Sequence, residues 1–358
     1  MGFKILVVNP GSTSTKIAVY ENEKELFFNT FDYTAEELKR FKRVYEQFEM
    51  RKKDIVNYLD EQAFKLEELS AVVGRGGILT PVKSGAYKVN SSMLDRLIYN
   101  PVMEHASNLG GIIAYEIAKP LGINAYIYDS VAVDELEAIA RISGLPEIPR
   151  TSFSHALNSR VAAIKFAYRN GKEYEDLNII VAHLGGGISI SIHNKGRMID
   201  VIPDYEGPLS PERAGAVPSI KLVDLCYSRK YDKETIYRML RGDGGLKAYL
   251  GTHDAREIEK MISNGSEEAK LVYQAMAYQI SKSIGELAPV VNGKVDVIIL
   301  TGGLAYSEML TSWIKRRVEF IAPVEIMAGE NEMEALALGV LRVLRGEEDA
   351  NEYEEIYD

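Results

Sequence analysis

With 358 residues the chain exceeds the length at which a single hydrophobic core usually stops growing, so two domains are expected. Hydrophobic residues make up 46% and charged residues 26%, and the formal net charge of -10 excludes a general nucleic-acid binder, which needs clustered Lys and Arg. No apolar run approaches the ~20 residues of a membrane helix, and the single cysteine, Cys226, permits neither an intrachain disulfide nor a thiolate metal cage, so a reducing, cytoplasmic setting is expected.

The first predicted element is a hairpin. Ile5 to Val8 reads as a buried strand that ends at the polar Asn9, a turn of small residues follows, and a second strand runs from Lys16 to Tyr20 before the turn-prone Glu21-Asn22-Glu23-Lys24. From about Thr34 to Leu69 the spacing is helical, with Leu38, Phe41, Val44, Tyr45 and Phe48 on one face. The basic residues here, Arg40, Lys42, Arg43, Arg51, Lys52 and Lys53, interleave with Glu46, Glu49 and Asp54 and read as a solvated face. A buried strand, Ala71-Val72-Val73, delivers Gly74-Arg75-Gly76-Gly77, and another, Ala125 to Tyr128, ends at Asp129. Helical spacing from Ala156 to Tyr168 closes at Asn170-Gly171, a C-cap signal, and the polar stretch to Asp176 marks a domain boundary. Leu225 and Tyr227 suggest that Cys226 is a packed thiol, while His193 and His253 read as surface or turn residues. Late in the chain, Val295 to Leu300 is a strand emptying into Thr301-Gly302-Gly303, where a nucleotide could approach bare backbone at a helix start. Met333, Ala337, Val340 and Leu344 fall on one face of a closing helix, and the acidic last dozen residues are expected to fray.

Residues 179–194 echo residues 5–20 without a gap. In the second copy the strand ends at His183, the turn is Leu184-Gly185-Gly186-Gly187, and Ile188 to Asn194 is the returning strand. Most Gly/Ser/Thr turns between strands are plain hairpins, but two copies carrying different polar residues at the matched position, Asn9 and His183, suggest duplicated scaffolds for different ends of one ligand. Small residues leave backbone N–H groups uncovered for a phosphate, and Ser12, Thr13 and Ser14 add hydroxyl donors. Neither a Walker A loop nor a G-x-G-x-x-G turn after a strand is present.

Taken in order, Asn9-x-Gly-Ser-x-Ser-x-Lys16, the Arg75 loop, residues 100–105 and 153–158, His183 to Gly187, residues 206–215, Thr301-Gly302-Gly303 and residues 329–336 resemble the motifs of the acetate/butyrate kinase family, in the acetate and sugar kinase, Hsp70 and actin superfamily. The likeness is nearest to the butyrate branch. It implies an α/β fold of two actin-like (ribonuclease H-like) domains, each a five-stranded mixed sheet flanked by helices, closing over a cleft. The expected domains are 1–174, completed by a C-terminal helix at about 335–358, and 175–334. It also implies transfer of a phosphoryl group between ATP/ADP and a short-chain carboxylate with Mg²⁺, in an assembly of at least two copies, with no nucleic-acid or membrane partner.

The resemblance carries sites over residue by residue. Ser12, Ser14 and Lys16 match the first phosphate loop, Gly185, Gly186 and Gly187 the second, and Gly302 and Gly303 the adenosine motif. Arg75 and Arg213 match the arginines of the carboxylate and phosphoryl site, with Asn9, Asp129 and His183 as further catalytic candidates. His105 and His155 match carboxylate-site histidines, although Ser154 separates His155 from Phe153 where the family has a contiguous Phe-His pair. Glu332 matches the metal-linked glutamate, with Asn9 as a possible second ligand and Glu330 and Glu334 in competition.

The chemistry favours such residues. A carboxylate acceptor is ionised at neutral pH and needs no base before it attacks phosphorus, so catalysis reduces to positioning and positive charge. Arginine forks grip carboxylate and phosphoryl oxygens alike. A sugar kinase would need an aspartate base, for which Asp129 could serve, but would leave two site arginines unexplained. An Hsp70- or actin-type binding module would need a peptide-binding domain or filament surfaces, and the chain has no room for an added domain. The length of the acceptor is not set by sequence, because each buried methylene is worth only ~1–3 kcal/mol.

Overall fold

The computed structural model describes residues 2–354. The chain divides into two compact units, one running to Asp134 and resuming at Asn331, the other Glu135–Glu330. The boundary expected at 174 lies well inside the second unit. There the helix Ala156–Arg169 buries Ala162, Ala163 and Ala167 against Ile179, Val181, Val297 and Ile299, which ties the segment after residue 134 to the second sheet.

In the first unit β1 (Lys4–Pro10), β2 (Ser14–Glu21) and β3 (Lys24–Asp32) form an antiparallel meander, and β4 (Ala71–Arg75) and β6 (Asn124–Tyr128) continue parallel to β1, with the short β5 (Ala86–Lys88) antiparallel beyond them. In the second unit β7 (Asn178–Leu184), β8 (Ile188–Asn194) and β9 (Arg197–Ile202) form the meander, and β10 (Val297–Gly302) and β11 (Val324–Ala328) continue parallel to β7. The strand orders, β3-β2-β1-β4-β6 and β9-β8-β7-β10-β11, are the same, so the sequence repeat is a structural duplication.

The first sheet has seven strands, not five. Beyond β6 it adds β5 and a two-residue strand, Asn351–Glu352. The addition is anchored by Tyr353, which is buried, bonds the Thr80 hydroxyl at 2.8 Å and offers its carbonyl to Asn90 Nδ2 at 2.9 Å. The acidic tail is therefore ordered through Tyr353 rather than frayed. The rest of the expected fraying falls on residues 355–358, outside those described.

Ile5, Leu6, Val7 and Val8 are all fully buried, the pattern of a strand covered on both faces. Leu6, Val8 and Val72 pack with Leu109 and Ile113 of the helix Asn108–Leu121, while the alternate face meets the helix Glu332–Arg345. A Cβ on Gly74 would lie 2.0 Å from the Gly110 carbonyl oxygen, so glycine against glycine seats the Asn108–Leu121 helix directly on β4. The second sheet packs Ile180, Ala182 and Ile190 on Tyr273, Met276 and Ile280 of the helix Glu267–Leu287. Among the described residues no helix is long and apolar enough to cross a membrane.

Three surface expectations change. Arg51 is fully buried, because its helix turns it under the first hairpin rather than toward solvent. His193 is also fully buried, bonding the Tyr174 hydroxyl at 2.6 Å and the Ser191 hydroxyl at 2.8 Å, since the β8 pleat directs it inward. Burial, reinforced by the charge of Arg160, lowers its pKa to about 3. Cys226, expected to be packed, is exposed at the end of the helix Ser219–Cys226, which buries none of its residues.

Candidate active site

In the first unit, polar residues collect where the parallel strands end. Asn9 is next to last in β1, Arg75 is the last residue of β4, and Asp129 follows β6, whose Tyr128 pairs with Arg75. Glu332, the first residue of the closing helix, ties them together: Oε2 accepts from Asn9 Nδ2 at 2.8 Å and from Arg75 Nη1 at 3.0 Å. Arg75 Nη1 also lies 3.5 Å from Asn9 Oδ1. Glu332 is largely buried while the Arg75 side chain keeps 26% of its exposure, so the carboxylate anchors an arginine that still reaches solvent. The three competing glutamates take different partners. Glu330 stands beside His183 in the second unit, Glu332 holds Asn9 and Arg75, and Glu334 lies near Tyr20, whose pKa is raised chiefly by burial and by Glu25, with a smaller push from Glu334.

Asp129 is buried with φ +38°, a left-handed conformation uncommon outside glycine, and accepts the Gly85 N–H at 2.7 Å. His105 is exposed in the loop before the Asn108–Leu121 helix and bonds Ser107 Oγ at 2.8 Å through Nδ1. Ser12 and Lys16 are exposed at the first hairpin, and Ser14 is half-buried.

The second unit repeats the plan with different chemistry. β4 and β10 pair with β1 and β7 in the same register, so Arg75-Gly76-Gly77 and Thr301-Gly302-Gly303 occupy matched positions. Asn158, from the first turn of the Ala156–Arg169 helix, donates through Nδ2 to His183 Nδ1 at 2.7 Å and to Thr301 Oγ1 at 3.3 Å. With Nδ1 accepting, a neutral His183 carries its proton on Nε2, the nitrogen 3.6 Å from Glu330 Oε1. His155 stacks on His183 with centroids 3.8 Å apart and rings 10° from parallel, and its Nδ1 bonds Ser189 Oγ at 2.9 Å. Ser154 instead turns inward to Met198. In Phe153-Ser154-His155 the histidine is therefore the residue that joins His183.

Gly185 to Gly187 form the turn beside these rings, and the loop carrying Arg213 docks on it. Gly186 O accepts from Ser210 Oγ at 2.7 Å and from Glu212 N at 3.2 Å. Arg213 Nε reaches Asp204 Oδ2 at 3.3 Å, and the same oxygen takes Arg241 Nη2 at 3.4 Å. A Cβ on Gly187 would sit 2.8 Å from Asp204 Oδ2 and would have to displace the carboxylate that holds Arg213 and Arg241. Gly302 has φ +90° and would bring a Cβ to 2.4 Å from the Leu184 carbonyl, a backbone requirement, whereas a Cβ on Gly303 would meet nothing within 4 Å.

Asn158, Asp204, Arg241 and Thr301 escaped sequence reasoning as site residues. Asn158 and Thr301 lay within the quoted motifs, but only the packing of a helix turn on two strand ends joins them to His183. Asp204 and Arg241 lie in separate loops with no local signal.

Comparison with known proteins first fixes the fold. Over 96% of this chain and 100% of the other, it matches the crystal structure of Porphyromonas gingivalis acetate kinase with a TM-score of 0.78 at 20% identity. A propionate kinase from Francisella tularensis matches over 94% of this chain and 98% of its own, with a TM-score of 0.77 at 18% identity. This is the duplicated, actin-like α/β fold of the acyl kinases. The model of the acetokinase family matches residues 152–327, and Butyrate kinase 2 of Clostridium acetobutylicum is 52% identical over 355 residues, 99% of this chain and 100% of that protein. The chain belongs to the acetokinase family, as an ATP-dependent carboxylate kinase of the butyrate type.

Proposed function

We propose that the chain catalyses the reversible reaction of butanoate with ATP to give butanoyl phosphate and ADP by direct in-line attack. One carboxylate oxygen forms the new bond to the γ-phosphorus, the bond from that phosphorus to the β,γ-bridging oxygen breaks, and ADP leaves with the electron pair. No proton moves, so no general base is required.

The observation that carries this reading is the arginine at each site, held by a carboxylate beside a glycine-bearing turn: Arg75 by Glu332 at 3.0 Å and Arg213 by Asp204 at 3.3 Å. Arg75 and Arg213 grip carboxylate and phosphoryl oxygens, and His183 donates from Nε2 to the oxygens of the transferring phosphoryl group. Ser12, Ser14 and Lys16 with the first turn, and Gly185 to Gly187 with the second, bind the phosphates. The open side of Gly303, beside Gly302, receives adenosine. Asp129, at the strand end beside Arg75, orients that arginine or a metal-bound water, and His105 and His155 line the acceptor site.

Glu332 suits the Mg²⁺ that accompanies ATP. Its Oε2 already serves Asn9 and Arg75, which leaves Oε1, with Asn9 Oδ1 as a second oxygen. A hard ion that keeps several waters and phosphate ligands needs only one or two such donors. When bound, it neutralises charge on the transferring phosphoryl group.

Butanoate as acceptor rests on the full-length likeness to the Clostridium acetobutylicum enzyme; acetate, propionate and isobutyrate are the alternatives. A homo-oligomer is supported by the helix Ser219–Cys226, which shows Ile220 and Val223 to solvent. Trapping the acyl phosphate with hydroxylamine tests the function. Butanoate should give hydroxamate with the highest kcat/KM of the four acids, and glucose should not be phosphorylated. Glucose phosphorylation, or ATP hydrolysis indifferent to the acids, would overturn it.

A further inference from the structure

We propose that Arg51 is a positioning residue that locks the first turn in its anion-accepting geometry and places a permanent positive charge behind it. The proposal rests on the reading of the 11–14 turn as a phosphate loop. Arg51 projects from the helix Phe48–Glu61 with no exposed surface. Its Nη1 donates to Gly11 O at 3.0 Å, Ser14 O at 2.9 Å and Thr15 Oγ1 at 2.9 Å, while Nη2 donates to Ser12 O at 3.3 Å and Gln47 Oε1 at 2.8 Å. The remaining carbonyl, Thr13 O, accepts from Tyr33 N at 2.8 Å, and Ser14 O also takes Gly11 N at 2.7 Å. Every carbonyl from Gly11 to Ser14 is thus drawn inward. The N–H groups of Ser12 and Thr13, on exposed residues, have no acceptor among the described residues. Backbone N–H groups freed in this way form an anion-binding concavity.

The charge matters as much as the hydrogen bonds. Among the described residues no carboxylate comes within ion-pair distance of Arg51; its guanidinium lies over the Tyr33 ring at 4.6 Å. Burial lowers its pKa, but a guanidinium remains protonated at neutral pH. Its contacts are carbonyl oxygens, the Thr15 hydroxyl and a ring face, and Asp54, bonded to the Tyr33 hydroxyl at 3.2 Å, acts on it only from beyond ion-pair distance, so the buried cation lacks a direct counter-charge that an anion on the outer side of the same turn would supply. The second turn is built otherwise. Gly186 O accepts from the hydroxyl of Ser210 and the N–H of Glu212, so its carbonyl is held by neutral donors. Lysine cannot replace this function, because one ammonium cannot span three carbonyls in the plane of a guanidinium fork.

The test compares Arg51→Lys, Arg51→Met and Thr15→Val, which removes a single acceptor of Arg51, with Ser12→Asp, which puts a negative charge on the exposed turn. Folding is followed by circular dichroism and thermal melting, and affinity by calorimetry with a non-hydrolysable ATP analogue and, separately, with adenosine. Arg51→Lys should remain folded, bind the analogue at least tenfold more weakly, keep its adenosine affinity, and leave the KM for butanoate unchanged. Thr15→Val should show the same selectivity to a smaller extent, which keeps the test decisive if Arg51→Met does not fold. A lower melting temperature with undiminished analogue affinity in the folded Arg51→Lys and Thr15→Val proteins would overturn the proposal. If Ser12→Asp weakens the analogue while Arg51→Lys does not, only the role of Arg51 fails. Should Ser12→Asp also bind normally, the phosphate-loop reading fails and takes the proposal with it.

Discussion

Replacing Glu332 with Gln removes one negative charge at nearly constant volume. The native carboxylate accepts two hydrogen bonds, at 2.8 Å from Asn9 and 3.0 Å from Arg75. An amide oxygen can still accept both, so what is lost is the charge-assisted increment, the difference between about 1.5–3 kcal/mol and about 1 kcal/mol per bond. With the Arg75 side chain 26% exposed, water screens part of the ion pair, and the net cost comes to about 2 kcal/mol. For a unit of this size that lowers the melting midpoint by roughly 4–8 °C. Activity should suffer more, because Arg75 loses its fixed anchor and, on the function proposed above, Mg²⁺ loses a carboxylate, so kcat should fall at least ~10²-fold. The assay is hydroxamate formation from butanoate at increasing Mg²⁺, with the folded fraction measured in parallel. The Mg²⁺ giving half-maximal rate should rise. A kcat within twofold of the native value with unchanged Mg²⁺ dependence would refute the reasoning, and a loss of activity that merely follows the folded fraction would reduce Glu332 to a brace.

Arg75→Ala and Arg213→Ala should each lower kcat by at least ~10²-fold with ATP affinity nearly unchanged, and near-normal turnover in either would remove that arginine from the mechanism. Gly303→Val should fold normally yet raise the KM for ATP strongly, since its new side chain enters open space, whereas Gly302→Val should destabilise the fold itself because of its φ of +90° and the Leu184 carbonyl; equal melting temperatures for the two would contradict this. His193, with a folded pKa of about 3 against an unfolded value near 6.5, binds its proton more readily when unfolded. The stability it contributes is therefore full above about pH 6.5 and is lost as the pH falls toward 3. Urea midpoints at pH 7 and pH 5 should drop further in the native protein than in His193→Gln, and parallel drops would exclude His193 as the cause.

The hairpins were legible because apolar runs on either side of small turn residues leave few alternatives, and the repeat at 179–194 pointed to the two related halves whose strand orders match. Spacing alone did not show which of three nearby glutamates meets Asn9 and Arg75; that depends on Glu332 being the one that begins the helix and faces β1. Arg51 shows the opposite failure. In a charged helix it looks like its neighbours Lys52 and Lys53, and nothing local indicates that its side chain turns under a loop 37–40 positions earlier in the chain. Asp204 and Arg241 are likewise joined only through the docking of distant loops. Tyr353 reversed a compositional inference, since one buried aromatic residue bonded to Thr80 and Asn90 outweighs the acidic residues around it. The extra strands of the first sheet went unseen because pairings of two and three residues leave no periodicity.

The central claim is that the carboxylate attacks the γ-phosphorus directly and that the protein's part is to hold charge and geometry. The stereochemical course of transfer tests it most directly, using ATP made chiral at the γ-phosphorus with oxygen isotopes and butanoate as acceptor. A single in-line displacement predicts inversion of configuration in the butanoyl phosphate. Retention would mean two successive displacements through a phosphorylated residue of the enzyme, and would contradict the account.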